Sequence, residues 1–101
     1  MTEQAGTVPE PELVLSGLRD AIAGVLDDAD LNRIDLQAVH NGTPLLSLPI
    51  DSMALMEIMT KVEDTFRVYI PEAQAYKFTT VGEVVDFVRA KAAAKAARQQ
   101  G

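Results

Sequence analysis

No Pro or Gly interrupts Asp51-Ser52-Met53-Ala54-Leu55-Met56-Glu57-Ile58-Met59-Thr60-Lys61-Val62-Glu63-Asp64-Thr65-Phe66, and the order of its side chains prescribes a helix. At about 100° per residue, Leu55, Ile58, Met59, Val62 and Phe66 fall in one narrow stripe, which makes a core face. Asp51 is a good N-cap, and Pro49 limits any earlier start. Met53, Met56, Glu57, Thr60 and Asp64 fall on the opposite side. Two readings of that side stand. Scattered exposed apolar residues are ordinary, and Met tolerates water. Alternatively, an apolar centre with an acidic rim makes a docking face.

Downstream, Pro71 stops the chain continuing from Phe66 as one helix. Glu72 to Lys77 has room for one or two helical turns, anchored by Ile70, Tyr76 and Phe78. Thr80-Val81-Gly82-Glu83 reads as a capping box that opens a last helix. Val81, Val84, Val85 and Val88 form its buried stripe. After Arg89 the chain becomes AKAAAKAARQQG, which is compatible with helix but has little to bury.

Upstream, residues 29–50 read as a long loop with a turn pair at Asn41-Gly42 and prolines at Pro44 and Pro49. Its Leu31, Ile34, Leu36, Val39, Leu45, Leu46, Leu48 and Ile50 must mostly pack down, and a helical turn is expected around Asp35 to His40. Asp28, Asp30 and Asn32 have the alternation of a calcium loop. Arg33 stands where such a loop needs Gly, and Val39 where it needs a bidentate Glu, so the run reads as a solvated acidic loop. A first helix spans Leu15, Leu18, Ile22, Val25 and Leu26, held back by Pro9-Glu10-Pro11 until about residue 11 or 12 and stopping near Asp27, Asp28 and Asp30. The expected organisation is a flexible acidic tail over 1–11, one domain over 12–90 and a basic Ala/Lys/Arg tail over 91–101. The expected fold is all-α: a small four-helix bundle of three main helices and one short helix, with a long first loop.

The chain has 101 residues, 48% of them apolar, with 9 basic and 15 acidic side chains. All the acids lie in residues 1–88, whereas residues 89–101 hold four basic groups and no acid. A net charge of −6 excludes nucleic acid as the main partner. With no Cys, the chain has no disulfide, thiolate metal site or Cys nucleophile of its own. No metal site is expected. No apolar run approaches the roughly 18 residues of a membrane span, and the polar start is unlike a signal peptide, so a cytoplasmic monomer is expected. The catalytic inventory is poor. His40 is the one His, and nothing in the sequence brings it to Ser16, Ser47 or Ser52 as a triad would require. The chain is therefore read as a protein that is not an enzyme by itself.

From Asp51 onward the chain resembles the acyl carrier protein family. Asp51-Ser52-Met53 is similar to the family's Asp-Ser-Leu attachment motif. ALMEIMTKVEDTF follows, and RVYIPEAQAYKFTTVGEVVDFV keeps the family's Ile-Pro-acid run, short helix and Thr-Val helix start in register. The resemblance implies that Ser52 receives 4′-phosphopantetheine from coenzyme A through a separate phosphopantetheinyl transferase. It implies that Asp51 helps bind that enzyme's magnesium, and that acyl groups ride on the arm as thioesters. It also implies that Met53, Met56, Glu57, Thr60, Glu63 and Asp64 meet basic docking patches on acyl-loading, condensing or modifying enzymes. Here Leu48-Pro49-Ile50 replaces the family's Leu-Gly-x, Lys61 interrupts the acidic helix, and the loop near His40 to Ser47 is longer than in compact fatty-acid carriers. These departures point to a freestanding carrier for polyketide or other secondary metabolism, with fatty-acid synthesis as the housekeeping alternative. An aminoacyl or peptidyl carrier and an unmodified adaptor acting by docking alone are the competing readings. Asp51 stands against the peptidyl carrier, which more often has Gly-Gly before x-Ser.

Overall fold

The computed structural model describes residues 8–100, so the tail expected over 1–11 lies largely outside the described residues. Five α-helices are seen among them: α1 Pro11–Val25, α2 Asp28–Leu31, α3 Ser52–Phe66, α4 Glu72–Ala75 and α5 Val81–Gln100, with 3-10 turns at Leu36–Ala38 and Leu45–Ser47. The fold is the expected all-helical bundle, with one added turn of helix.

Pro11 opens α1 at a position where a missing N–H costs nothing. Val14, Leu15, Leu18, Ala21 and Ile22 then form its buried stripe. Leu26 leaves the helix in extended conformation, and the acids that suit a C-terminus badly start a new element instead. The Asp27 carboxylate accepts the Asp30 N–H at 2.9 Å and caps α2, a helix where the sequence predicts loop.

The core joins α1 to Ile58, Met59 and Val62 of α3 and to Val81, Val84, Val85 and Val88 of α5. Leu55 and Phe66, placed in the α3 core stripe, sit at its half-buried edge. A side chain at Gly17 would meet the Phe66 ring at 2.6 Å, so the bare backbone is what lets that ring lie against α1. Phe78 and Phe87 meet edge to face with centroids 5.5 Å apart.

The long loop is tied down at both ends. Arg19 on α1 donates through Nε and Nη2 to the Val39 carbonyl, at 3.1 and 2.6 Å. Leu45 N–H donates to Thr79 O at 3.0 Å, Val81 N–H to Thr43 O at 2.9 Å and Gly82 N–H to Asn41 O at 2.7 Å. Loop carbonyls thus satisfy first-turn N–H groups of α5 that have no partner in their own helix. Val39, Leu45 and Leu48 are buried, and Leu31, Ile34, Leu36 and Ile50 pack against the core edge. Leu46 is the exception at 95% exposed, because the 3-10 turn sends Leu45 inward and its neighbour out.

The last helix runs through residue 90 without a break, and Ala92 and Ala96 are buried. Small side chains there let the helix lie close to its neighbours. Three of its cations serve the fold. Arg89 donates to Pro9 O at 3.0 Å, Lys91 lies 5.3 Å from the Phe87 ring centre, and Lys95 donates to Arg67 O at 3.1 Å. Arg67, which ends α3 with a φ of 59°, is the residue whose carbonyl this lysine covers. The capping box differs in detail from its sequence reading. Glu83 N–H donates to Thr80 Oγ1 at 3.3 Å, but the Glu83 carboxylate reaches one residue further back, accepting Thr79 N–H at 2.6 Å and the Thr79 hydroxyl at 3.1 Å. Those bonds hold its carboxyl below the ordinary Glu range.

Candidate functional site

Ser52 is the first residue of α3 and is exposed. Three local features put it there. Buried Leu48 anchors the incoming chain, Ile50 N–H closes a tight turn on Leu48 O at 2.8 Å, and Asp51 takes extended backbone. Asp51 then caps the helix: its Oδ1 accepts Ala54 N–H at 2.8 Å, and its carbonyl accepts Leu55 N–H at 2.9 Å. The Ser52 and Met53 N–H groups have no acceptor within their helix. They point, with the positive end of the helix dipole, to where an anion on Ser52 would sit.

Among the described residues, no side-chain hydrogen bond joins the Ser52 hydroxyl to a base. His40 is committed elsewhere, its Nδ1 accepting Gly42 N–H at 3.0 Å. Ser47 donates its own hydroxyl to Pro44 O at 2.6 Å.

Ser52 opens onto a shallow groove along the outer side of α3. Met53, Met56, Thr60, Lys61 and Tyr76 line it, together with Gly24 and Val25 at the end of α1. Glu57 and Asp64 are exposed on the same face. Met53 is 72% exposed, whereas Met56 is half-buried against the core edge. Thr60 donates its hydroxyl hydrogen to Met56 O at 2.9 Å, keeping its lone pairs outward. Glu63, which the resemblance groups with this face, does not line the groove. Its Oε2 accepts Ile70 N–H at 2.6 Å and fastens the chain after α3. Lys61 extends along Gly24 of α1, where a side chain would meet its Cε at 3.4 Å. Of the three anchors expected around α4, Ile70 and Phe78 are buried but Tyr76 is 51% exposed, and Leu46 is exposed as well. The apolar character of Tyr76 and Leu46 was visible in sequence, but their exposure was not.

A family model described as a phosphopantetheine attachment site matches residues 16–88. Among curated relatives, the acyl carrier protein of Acidothermus cellulolyticus is 31% identical over 77 residues, covering 76% of this chain and 86% of that protein. The acyl carrier protein of Streptomyces coelicolor is 29% identical over 90 residues, covering 89% and 92%. A mitochondrial acyl carrier protein of Dictyostelium discoideum is 27% identical over 95 residues, covering 94% and 73%. The covalent group of this family's domain is 4′-phosphopantetheine, and the residues here fit it: an exposed primary hydroxyl for the phosphodiester, with first-turn N–H groups beside it. With the family model spanning most of the chain and the helical bundle in place, the chain belongs to the acyl carrier protein family.

Proposed function

We infer that Ser52 carries the 4′-phosphopantetheine arm and that the chain presents acyl thioesters on it to partner enzymes. The reading rests on one observation, the exposed hydroxyl at the head of α3 beside its Asp51 cap. A chain without Cys gains its reactive sulfur from the arm. Asp51 serves the fold as cap and the transferase as a nearby carboxylate. Met53, Met56, Glu57, Thr60 and Asp64 form the docking face, an apolar centre with an acidic rim that steers basic partners and keeps contacts short-lived. Glu63 contributes to that face only through its charge, since its carboxylate is tied to Ile70. Pro49, Lys61 and the long stitched loop support service in polyketide or another secondary pathway. A cytoplasmic placement accords with the absence, among the described residues, of a helix long and apolar enough to cross a membrane.

The test is intact mass after incubation with coenzyme A and a broad-specificity phosphopantetheinyl transferase. The expected result is a gain of one phosphopantetheinyl group, abolished in Ser52→Ala. An unchanged mass with several transferases would leave the docking adaptor as the better account.

A further inference from the structure

We propose that the groove on the outer side of α3 is the seat of the arm itself, holding its uncharged, amide-bearing middle along the helix. The inference rests on attachment at Ser52. Ser52 lines the same groove as Met53, Met56, Thr60, Lys61 and Tyr76, so an arm tethered there begins inside it. The groove follows α3 from Ser52 to Asp64, about 18 Å at 1.5 Å per residue, comparable with the extended arm.

The lining matches the arm's chemistry in order. Phosphate belongs at the helix head, with the open N–H groups. The branched aliphatic part of the arm comes next, over Met53 and Met56, whose flexible thioethers adapt to irregular shapes. Tyr76 adds a flat apolar wall, 51% exposed, with a hydroxyl tip for an amide. The outward lone pairs of Thr60 accept an amide N–H, and Lys61 at the edge donates to an amide carbonyl. Glu57 and Asp64 lie beside an uncharged stretch of the arm, so their charge opposes nothing there. The contacts need not be strong. A short tether gives millimolar effective concentration, so an intrinsic affinity of about 1 mM half-fills the seat.

The methionines supply the test. The described chain holds Met53 and Met56 in the groove and Met59 one turn further on, 1% exposed in the core. Protein labelled with 13C at methionine methyls is loaded with coenzyme A and transferase, loading is verified by intact mass, and apo and holo spectra are compared. The expected result is a shifted Met56 methyl, an unmoved Met59 methyl, and cross-relaxation between the arm's geminal methyls and the Tyr76 ring. In holo Tyr76→Ala the Met56 methyl returns toward its apo position. Loaded protein with an unmoved Met56 methyl and no contact to Tyr76 overturns the seat and leaves attachment standing. A shift at Met59 in place of Met56 also overturns it, by putting the arm in the core. Absence of the mass gain overturns attachment itself, and the seat with it.

Discussion

Asp51 is read as holding two roles at once, and a pair of substitutions separates them. Its side chain contributes one hydrogen bond to the fold, from Ala54 N–H at 2.8 Å, and a negative charge at the positive end of α3. Removing a cap of this kind costs about 1 kcal/mol. Losing an exposed charge beside a helix N-terminus costs about 0.3–1 kcal/mol more. Asp51→Ala is therefore expected to destabilise by about 1–2 kcal/mol, and each kcal/mol lowers the Tm of a domain this size by about 4–8 °C. Asn accepts the same bond, so Asp51→Asn loses only the charge contribution and melts between Asp51→Ala and the parent, about 1–8 °C below the latter. Loading separates the variants differently. If the transferase uses the carboxylate's charge, Asp51→Asn loses most of its loading rate while melting above Asp51→Ala. The assay pairs thermal melts with the rate of mass gain from coenzyme A. An Asp51→Ala protein that melts with the parent would refute the cap. An Asp51→Asn protein loaded at the parental rate would refute a role for the charge.

Gly82→Ala is expected to destabilise: its Cβ would lie 2.8 Å from Asn41 O, a backbone atom, and overpacking of about 1–3 kcal/mol exceeds the ~1 kcal/mol that Ala offers a helix. Urea titration checks this, and a more stable variant would show that the loop moves aside freely. Glu83 should give stability its pH dependence. Its folded pKa is lowered, chiefly by the backbone bond from Thr79, so its contribution is complete above the unfolded value near ~4.3 and lost as pH falls through the folded one. The stability gap between the parent and Glu83→Gln should then shrink on acidification; a gap that widens contradicts the assignment. Glu57→Lys, on an exposed position, should leave the melt unchanged and slow loading or transfer several-fold at low salt, with less effect at high salt. Unchanged partner kinetics would remove the recognition role of this face.

What the sequence determined by itself was local. Asp51 capping Ala54, Pro71 leading into α4, Pro11 opening α1 and Thr80 capping Glu83 are set within three or four residues, and residue type at fixed spacing is enough to specify them. The same locality carried the site, since an exposed serine after an N-cap needs only its neighbours to be placed. Tertiary packing decided the rest. Glu63, expected among the docking residues, accepts Ile70 N–H because the chain after α3 returns within its reach. Nothing within a few residues of Asn41 or Thr43 announces that their carbonyls will complete the first turn of α5. Leu45 and Leu46 are the same residue to any hydropathy scale, yet one is 6% and the other 95% exposed, because only the docked turn fixes which side faces the core. Ala92 and Ala96 carry too little apolar surface to signal burial, and they are buried because α5 is held in place by Val81 to Val88. Caps are set by chain neighbours, whereas burial is set by whatever the completed fold brings alongside.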